Sequence, residues 1–375
     1  MTFTIVTHVS HIQKEGKYYA YEPYIKEMNL WLKYVDKVII VAPLDVSRSI
    51  SNIDISYEHE NIDFRSIPAF NVLNWKNKLK TLFRILPIMS VIFKAYRQSD
   101  HIHLRCPGNI GLLGALVQIF FPKKIKTVKY AGNWDPNSKQ PWSYNFQKRI
   151  LSNTFFTKNA RVLVYGNWKR QTKNVTPFFT ASFSETEIIK PVEKNLSKTI
   201  KLLYVGSFLK SKQPMFSLKV AEKLSKDGVD VVLDMYGDGE EKDRLTKYVK
   251  ENYLEKIVKI QGNQPKEVVK QAYKESHFLI FISKSEGWPK VVAESMFFSC
   301  LPISSKVSCV PYMLDEGKRG SLVEGNNIEE ISNEIIYYIK NDDNYQKKVK
   351  DAASWSQKYT LEYFEREIKK MVIDE

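Results

Sequence analysis

The apolar run Phe278-Leu-Ile-Phe-Ile282 breaks off at Ser283-Lys-Ser-Glu-Gly-Trp-Pro-Lys-Val-Val-Ala-Glu294, and this junction restricts the fold more than any other stretch. An apolar, β-branched run that ends in polar residues reads as a buried strand, and Pro followed by Lys-Val-Val-Ala-Glu reads as the first turns of a helix over 290–298. Pro289 suits the first helical position, where no N–H is needed. The amides of Lys290 and Val291 then face whatever lies above the strand end, an anion site reinforced by about half a positive charge of helix dipole. Glu286 precedes the helix and Glu294 lies inside it, on the order of 10 Å away at ~1.5 Å rise per residue. Carboxylates repel phosphate, so each suits a pair of hydroxyls on either side of a diphosphate, the outline of a nucleotide sugar. The same spacing also fits a strand, a turn and a helix with two surface glutamates.

The rest of the chain repeats this strand-to-helix grammar. Ile200-Lys-Leu-Leu-Tyr-Val205 leads into Gly206-Ser-Phe-Leu-Lys-Ser-Lys212-Gln-Pro214 and a helix, which is a phosphate-facing arrangement. A strand over 229–235 ends in Tyr236-Gly-Asp-Gly239, and one over 257–260 ends in Gln261-Gly-Asn-Gln264. In the amino half, Phe3 to Thr7 runs into a polar loop holding His8 and His11, with a helix from about Pro23. Strands there also end at Arg105-Cys-Pro-Gly-Asn109 and at Ala131-Gly-Asn-Trp-Asp-Pro136, Gly/Pro/Asn turns of the kind that face a ligand in an open α/β sheet. Arg161-Val-Leu-Val-Tyr165 reads as the last strand before a polar, weakly periodic stretch from Thr172 to Ser197.

Glu286-Gly-x-Pro-x-x-x-x-Glu294, with Gly206 to Lys212 and Gly237-Asp-Gly239, resembles the E-x7-E motif and its companions in the retaining glycosyltransferases of family 4. The resemblance implies an α/β chain of GT-B fold, two Rossmann-like β/α/β domains facing across a cleft. It implies that Glu286 meets the donor sugar, that Glu294 meets the ribose, and that the backbone of Gly287, Trp288, Pro289, Lys290 and Val291 holds the diphosphate. Lys212 matches the lysine that neutralises the diphosphate, which makes Glu286 and Lys212 the catalytic pair. Gly206 and Ser207 belong to the same donor segment, Ser207 standing where an arginine is common, and Gly262, Asn263 and Gln264 lie where relatives approach the base. The acceptor side falls to the amino domain, with His8, His11, Arg105, Asn133 and Asp135 as candidates; Tyr130-Ala131-Gly132 replaces the His-Gly many members carry. The resemblance is dense from Lys201 to about Asn327 and covers the amino half in outline.

The expected organisation is an acceptor-binding domain over 1–180, a linker over 181–199, a nucleotide-sugar domain over 200–355 and a helix over 356–375 crossing back to the first domain. The reaction implied is transfer of a sugar from a nucleoside-diphosphate donor to a hydroxyl of a glycan or lipid-linked acceptor with retention. Since no Asp-x-Asp or metal-spaced His/Cys cluster accompanies the motif, no cofactor or metal is expected. A GT-B epimerase or phosphorylase, or a non-catalytic basic module on the same scaffold, are the rival readings.

A net charge of +15 and pI near 9.3 call for an anionic partner. Without zinc-ligand spacing, an RNP-like strand or a helix-turn-helix pattern, nucleic acid is the weakest option, which leaves phosphorylated small molecules and an anionic membrane face. Asn71 to Arg97, where Trp75, Phe83 and leucines alternate with Lys76, Lys78, Lys80 and Arg84, reads either as a domain helix whose lysines face water or as an amphipathic surface that lies on such a membrane. Cys106, Cys300 and Cys309 form neither a CxxC nor a disulfide ladder, and Met1 to Thr7 reads as a strand, so the expected location is the cytoplasm, at the inner face of the cell membrane.

Overall fold

Seven strands, every neighbouring pair parallel, form the main sheet of the first unit, Met1–Phe178 with Phe364–Glu375. Their spatial order is Val175–Phe178, Ala160–Tyr165, Ile125–Tyr130, His101–Cys106, Thr2–Val6, Lys37–Pro43 and Ile62–Ile67. The computed structural model describes residues 1–51, 53–69, 78–325 and 327–373, and only the backbone of 78–84. Trp75 and Lys76, and the side chains of Lys78, Lys80, Phe83 and Arg84, therefore lie outside the described residues, and with them most of the membrane reading of Asn71 to Arg97. The end of that stretch belongs to the helix Lys78–Gln98, which runs on through Pro87.

Strands such as Phe3, Ile5, Ile39, Val41, Ile102, Leu104, Val128 and Val162 are apolar on both faces because helices cover a parallel sheet on both sides, and these side chains are fully buried. From Thr2–Val6 the chain lays successive strands in one direction, then returns to place His101–Cys106 on the other side. That reversal is the switch point where an open parallel sheet leaves a crevice at its carboxyl edge.

Two parts of this unit differ from the sequence reading. The loop after His8 contains a hairpin, Ile12–Lys14 with Lys17–Tyr21, turned at Glu15 and Gly16, both at positive φ, and extended by Asp54–Ser56. Val175–Phe178 adds a seventh strand inside the stretch read as aperiodic; it holds Pro177, which is tolerated because the strand lies at the sheet edge and pairs on one side.

The second unit, Phe179–Tyr363, carries six parallel strands in the order Val258–Gly262, Val231–Tyr236, Ile200–Val205, Phe278–Phe281, Leu301–Ser305 and Ser321–Val323. Its switch point lies between Ile200–Val205 and Phe278–Phe281, so the Gly206 and Ser283 turns come side by side. The stretch 181–199 packs within this unit: Ser184 and Glu187 form a capping box, and the buried Lys194 ammonium donates to the carbonyls of Tyr273 and Ser276. The helix Leu361–Ile373 begins in the second unit, and its residues from Phe364 group with the first, where Glu365 accepts from Lys33 (2.8 Å) and Tyr34 (2.7 Å).

Candidate active site

Three strand ends of the second unit are stitched together by backbone bonds. Gly206 N–H donates to Tyr236 O (3.0 Å), Phe208 N–H to Asp238 O (2.9 Å) and Gly237 N–H to Gly262 O (2.9 Å). The approach is so close that a Cβ on Gly237 would stand 1.9 Å from Gly206 O, and Gly237 also has φ +145°. Glycine is therefore a steric requirement there.

The Gly206 turn continues to Lys212 and Gln213, whose left-handed φ of 45° ends the turn and starts the helix Pro214–Lys226. Across the switch point, Lys284 N–H donates to Ser211 O (2.9 Å) and the Ser283 hydroxyl to the same carbonyl (3.3 Å), fixing the Lys212 loop to the turn before the next helix. Ser305 braces that turn from behind, accepting from Ser283 N–H (3.1 Å) and donating to Ser283 O (3.0 Å). At its tip the Lys212 ammonium forms an ion pair with Glu286, whose side chain is only 8% exposed, and lies 5.9 Å from the centre of the Phe281 ring. The two residues read as catalytic are thus brought together, paired with each other.

The helix after the turn spans Lys290–Phe297, with Pro289 as its N-cap because ψ 91° is extended rather than helical, so the helix starts one residue later than the sequence reading, which puts Pro289 at the first helical position. No side chain caps this end, and its first amides have no acceptor within the helix. Gly287 is held by its carbonyl, which accepts from Ser308 Oγ (3.1 Å), and Trp288 is buried with its ring stacked near Trp355. Glu294 is half-buried, its carboxylate accepting from the Ser182 hydroxyl (2.6 Å) and from Tyr273 (3.1 Å). Ser182 lies in the stretch read as linker, and neither partner carried a sequence signal, since their bonds span long separations in the chain. Asn263 and Gln264 are exposed beside Gly262, Gln264 Nε2 donating to Gln261 O (2.8 Å).

The acceptor-side candidates separate in the first unit. His8 lines a cavity of about 390 Å³ at the switch point with Pro43, Pro107, Asn109, Ile110 and Tyr144. Burial, and after it the Arg105 charge, hold the His8 pKa below its ordinary value, and its ring leaves only 3.1 Å for a Cβ on Gly108. His11 is completely buried, its Nδ1 2.9 Å from Val9 O and its Nε2 2.9 Å from the Tyr57 hydroxyl; burial lowers its pKa to about 4. It has no surface to offer a ligand. Arg105 is tied to Glu27 and stacked over Tyr24, and Asn133 and Asp135 shape the turn after Tyr130: Asn133 Oδ1 accepts from Asp135 N–H (2.9 Å) and Asp135 Oδ1 from Asn137 N–H (2.8 Å). Tyr130 is buried edge-on against Trp134. Among the described residues no group of three or more His, Cys, Asp or Glu side chains could hold a metal ion.

Two Rossmann-like parallel-sheet units in one chain, each with a loop-lined switch point, define the GT-B glycosyltransferase fold. Residues 185–355, nearly the whole second unit, match the model of the family described as Glycosyl transferases group 1. An uncharacterized glycosyltransferase of Haemophilus influenzae is 31% identical over 169 residues, 44% of this chain and 46% of that protein. Another, of Methanocaldococcus jannaschii, is 26% identical over 157 residues, 39% of this chain and 44% of the relative. The matches thus span under half the length of these two relatives. Among solved structures, Anabaena HepE in complex with UDP superposes with a TM-score of 0.68 at 13% identity, covering 100% of this chain and 99% of that one.

Proposed function

We propose that the second unit binds a nucleoside-diphosphate sugar at its switch point and that the chain transfers the sugar, with retention, to a hydroxyl of a glycan or lipid-linked acceptor held by the first unit. The observation that carries this reading is the Lys212–Glu286 pair at the end of the Ser283–Gly287 turn, directly before a helix end uncapped by any side chain. An ammonium and a row of helix amides suit a diphosphate; a sheltered carboxylate next to them suits the sugar hydroxyls. Departure of the nucleoside diphosphate leaves negative charge on phosphate, which Lys212 and the amides of Lys290 and Val291 stabilise without a metal ion. Glu294, oriented by Ser182 and Tyr273, takes the ribose hydroxyls. The family match over 185–355 and the UDP bound by HepE support a nucleotide at this unit.

Heat unfolding tests the reading. UDP or GDP at about 100 times its dissociation constant adds roughly 2.7 kcal/mol of stability. Incubation with the sugar form of the protecting nucleotide and a panel of glycan and lipid-linked acceptors then gives nucleoside diphosphate and a glycoside whose anomeric configuration by NMR is that of the donor, in the presence of EDTA. A chain that no nucleoside diphosphate protects, or a product of inverted configuration, contradicts it.

A further inference from the structure

The positive charge of this protein is not spread over it. Of 57 Lys and Arg and 42 Asp and Glu, the segment 64–178 of the first unit holds twenty of the former and two of the latter, Asp100 and Asp135. The rest of the chain is slightly acidic, so a nucleotide held by the second unit leaves this charge unexplained.

Within that segment two loops lead into the strands Ile125–Tyr130 and Ala160–Tyr165, at the amino edge of the sheet and so opposite the His8 cavity. They are bonded into one surface. Gln118 Nε2 donates across to Phe156 O (3.2 Å) and to the Thr157 hydroxyl (3.0 Å), and Asn159 Nδ2 donates to Pro122 O (3.1 Å). The buried Lys126 ammonium donates to Lys124 O (2.9 Å) and Lys158 O (2.6 Å). Asn153 Oδ1 accepts the amides of Phe155 (2.9 Å) and Phe156 (3.0 Å), a turn that leaves both rings in the open.

Phe120 is 70% exposed, Phe155 71% and Phe156 45%. Single exposed apolar residues are ordinary, but three phenylalanines on two cross-bonded loops mark a contact surface. Lys123 and Lys158 are exposed beside them, the Lys158 ammonium 5.1 Å from the centre of the Phe155 ring, and no carboxylate occurs in 118–134 or 136–178. A second copy of this face would be repelled by like charge. Nucleic acid would satisfy the lysines, but three rings projecting from short turns fit better into a layer that is anionic at its surface and apolar just beneath.

We propose that this edge of the first unit docks on an anionic lipid surface, with Phe120, Phe155 and Phe156 entering the boundary between headgroups and acyl chains while Lys123 and Lys158 meet the headgroup phosphates. Burial of the rings and attraction of the cations act together, and salt weakens only the second.

Vesicle flotation tests it, with the full chain, vesicles of phosphatidylcholine alone and vesicles containing a third phosphatidylglycerol. Wild type floats with the anionic vesicles and not with the neutral ones. Phe120→Ser/Phe155→Ser/Phe156→Ser and Lys123→Gln/Lys158→Gln each lower the bound fraction roughly tenfold, with the circular dichroism spectrum and unfolding temperature of wild type. In the single variant Phe155→Trp, which preserves the ring, acyl-brominated phosphatidylglycerol quenches more emission than in wild type. Failure of wild type to float at low salt overturns the proposal. So does equal flotation of wild type and both multiple variants, or absence of added quenching in Phe155→Trp. Loss of binding in the lysine variant alone, with oligonucleotides competing the vesicles away, assigns the surface to nucleic acid and overturns it too.

Discussion

The ion pair between Glu286 and Lys212 satisfies both charges. In the proposed reaction it has to give way, because there Lys212 meets the diphosphate and Glu286 the sugar. Glu286→Gln keeps the shape and releases the ammonium, so the bare nucleoside diphosphate binds several-fold more tightly by calorimetry while sugar transfer falls about 100-fold, near 2.7 kcal/mol. A variant that loses nucleotide affinity and turnover in proportion contradicts this division. Glu294→Ala acts differently, because Ser182 and Tyr273 fix its carboxylate for a ground-state contact. It weakens nucleotide and nucleotide sugar alike by about 1.5 to 3 kcal/mol, and a 2′,3′-dideoxy nucleotide that binds wild type as well as its parent excludes the ribose role. Sequence reasoning reached both glutamates from their spacing around a strand end and a proline. It could not reach Ser182 or Tyr273, since hydrogen bonds across 112 and 21 residues leave no local trace.

The elements that were legible are apolar runs cut by polar or glycine turns. Gly237 is the clearest, as its contact with the Gly206 carbonyl leaves no room for a methyl group. Gly237→Ala therefore forces the Gly206 turn away from the Tyr236 strand end. It costs at least about 2 kcal/mol in urea unfolding and abolishes nucleotide binding, whereas Gly228→Ala, at positive φ with open space around it, costs stability without touching the nucleotide. Equal nucleotide affinity in the two variants would show that the stitched turns do not form the site. The elements that were missed depend on partners distant in sequence. Val175–Phe178 is a strand only because Ala160–Tyr165 offers an unpaired edge, and the stretch 181–199 gains its place from Lys194 capping the Tyr273 and Ser276 carbonyls. His11 looked like a loop residue facing a ligand because the rings packed against it, Tyr24, Tyr57 and Phe64, come from later parts of the chain.

At the scale of the whole molecule, histidines are divided unequally between the units. The first holds His11 and His101, both lowered to about 4 by burial, together with His8 and His103, also lowered; the second has His277, lowered to about 4 by burial and then by Lys194. Well above pH 6.5 these groups are neutral whether folded or not. As pH falls from 6.5 towards 4 the unfolded chain takes up protons that the folded one refuses, and each such histidine removes up to about 1.4 kcal/mol per unit. Acidification to pH 5 thus lowers amide protection in Thr2–Val6 and His101–Cys106 more than in Val231–Tyr236 and Leu301–Ser305, after correction for intrinsic exchange. The reverse order contradicts the placement of these histidines in the core. Hydrogen exchange also reaches the central claim, that a nucleoside diphosphate binds the second unit at its switch point. With saturating UDP or GDP, protection should rise in peptides spanning Gly206–Gln213 and Ser283–Val291 of wild type and be lost from both in Lys212→Ala, while Pro107–Ile110 stays unchanged. Protection centred on the His8 cavity, or none at all with any nucleoside diphosphate, would contradict the account.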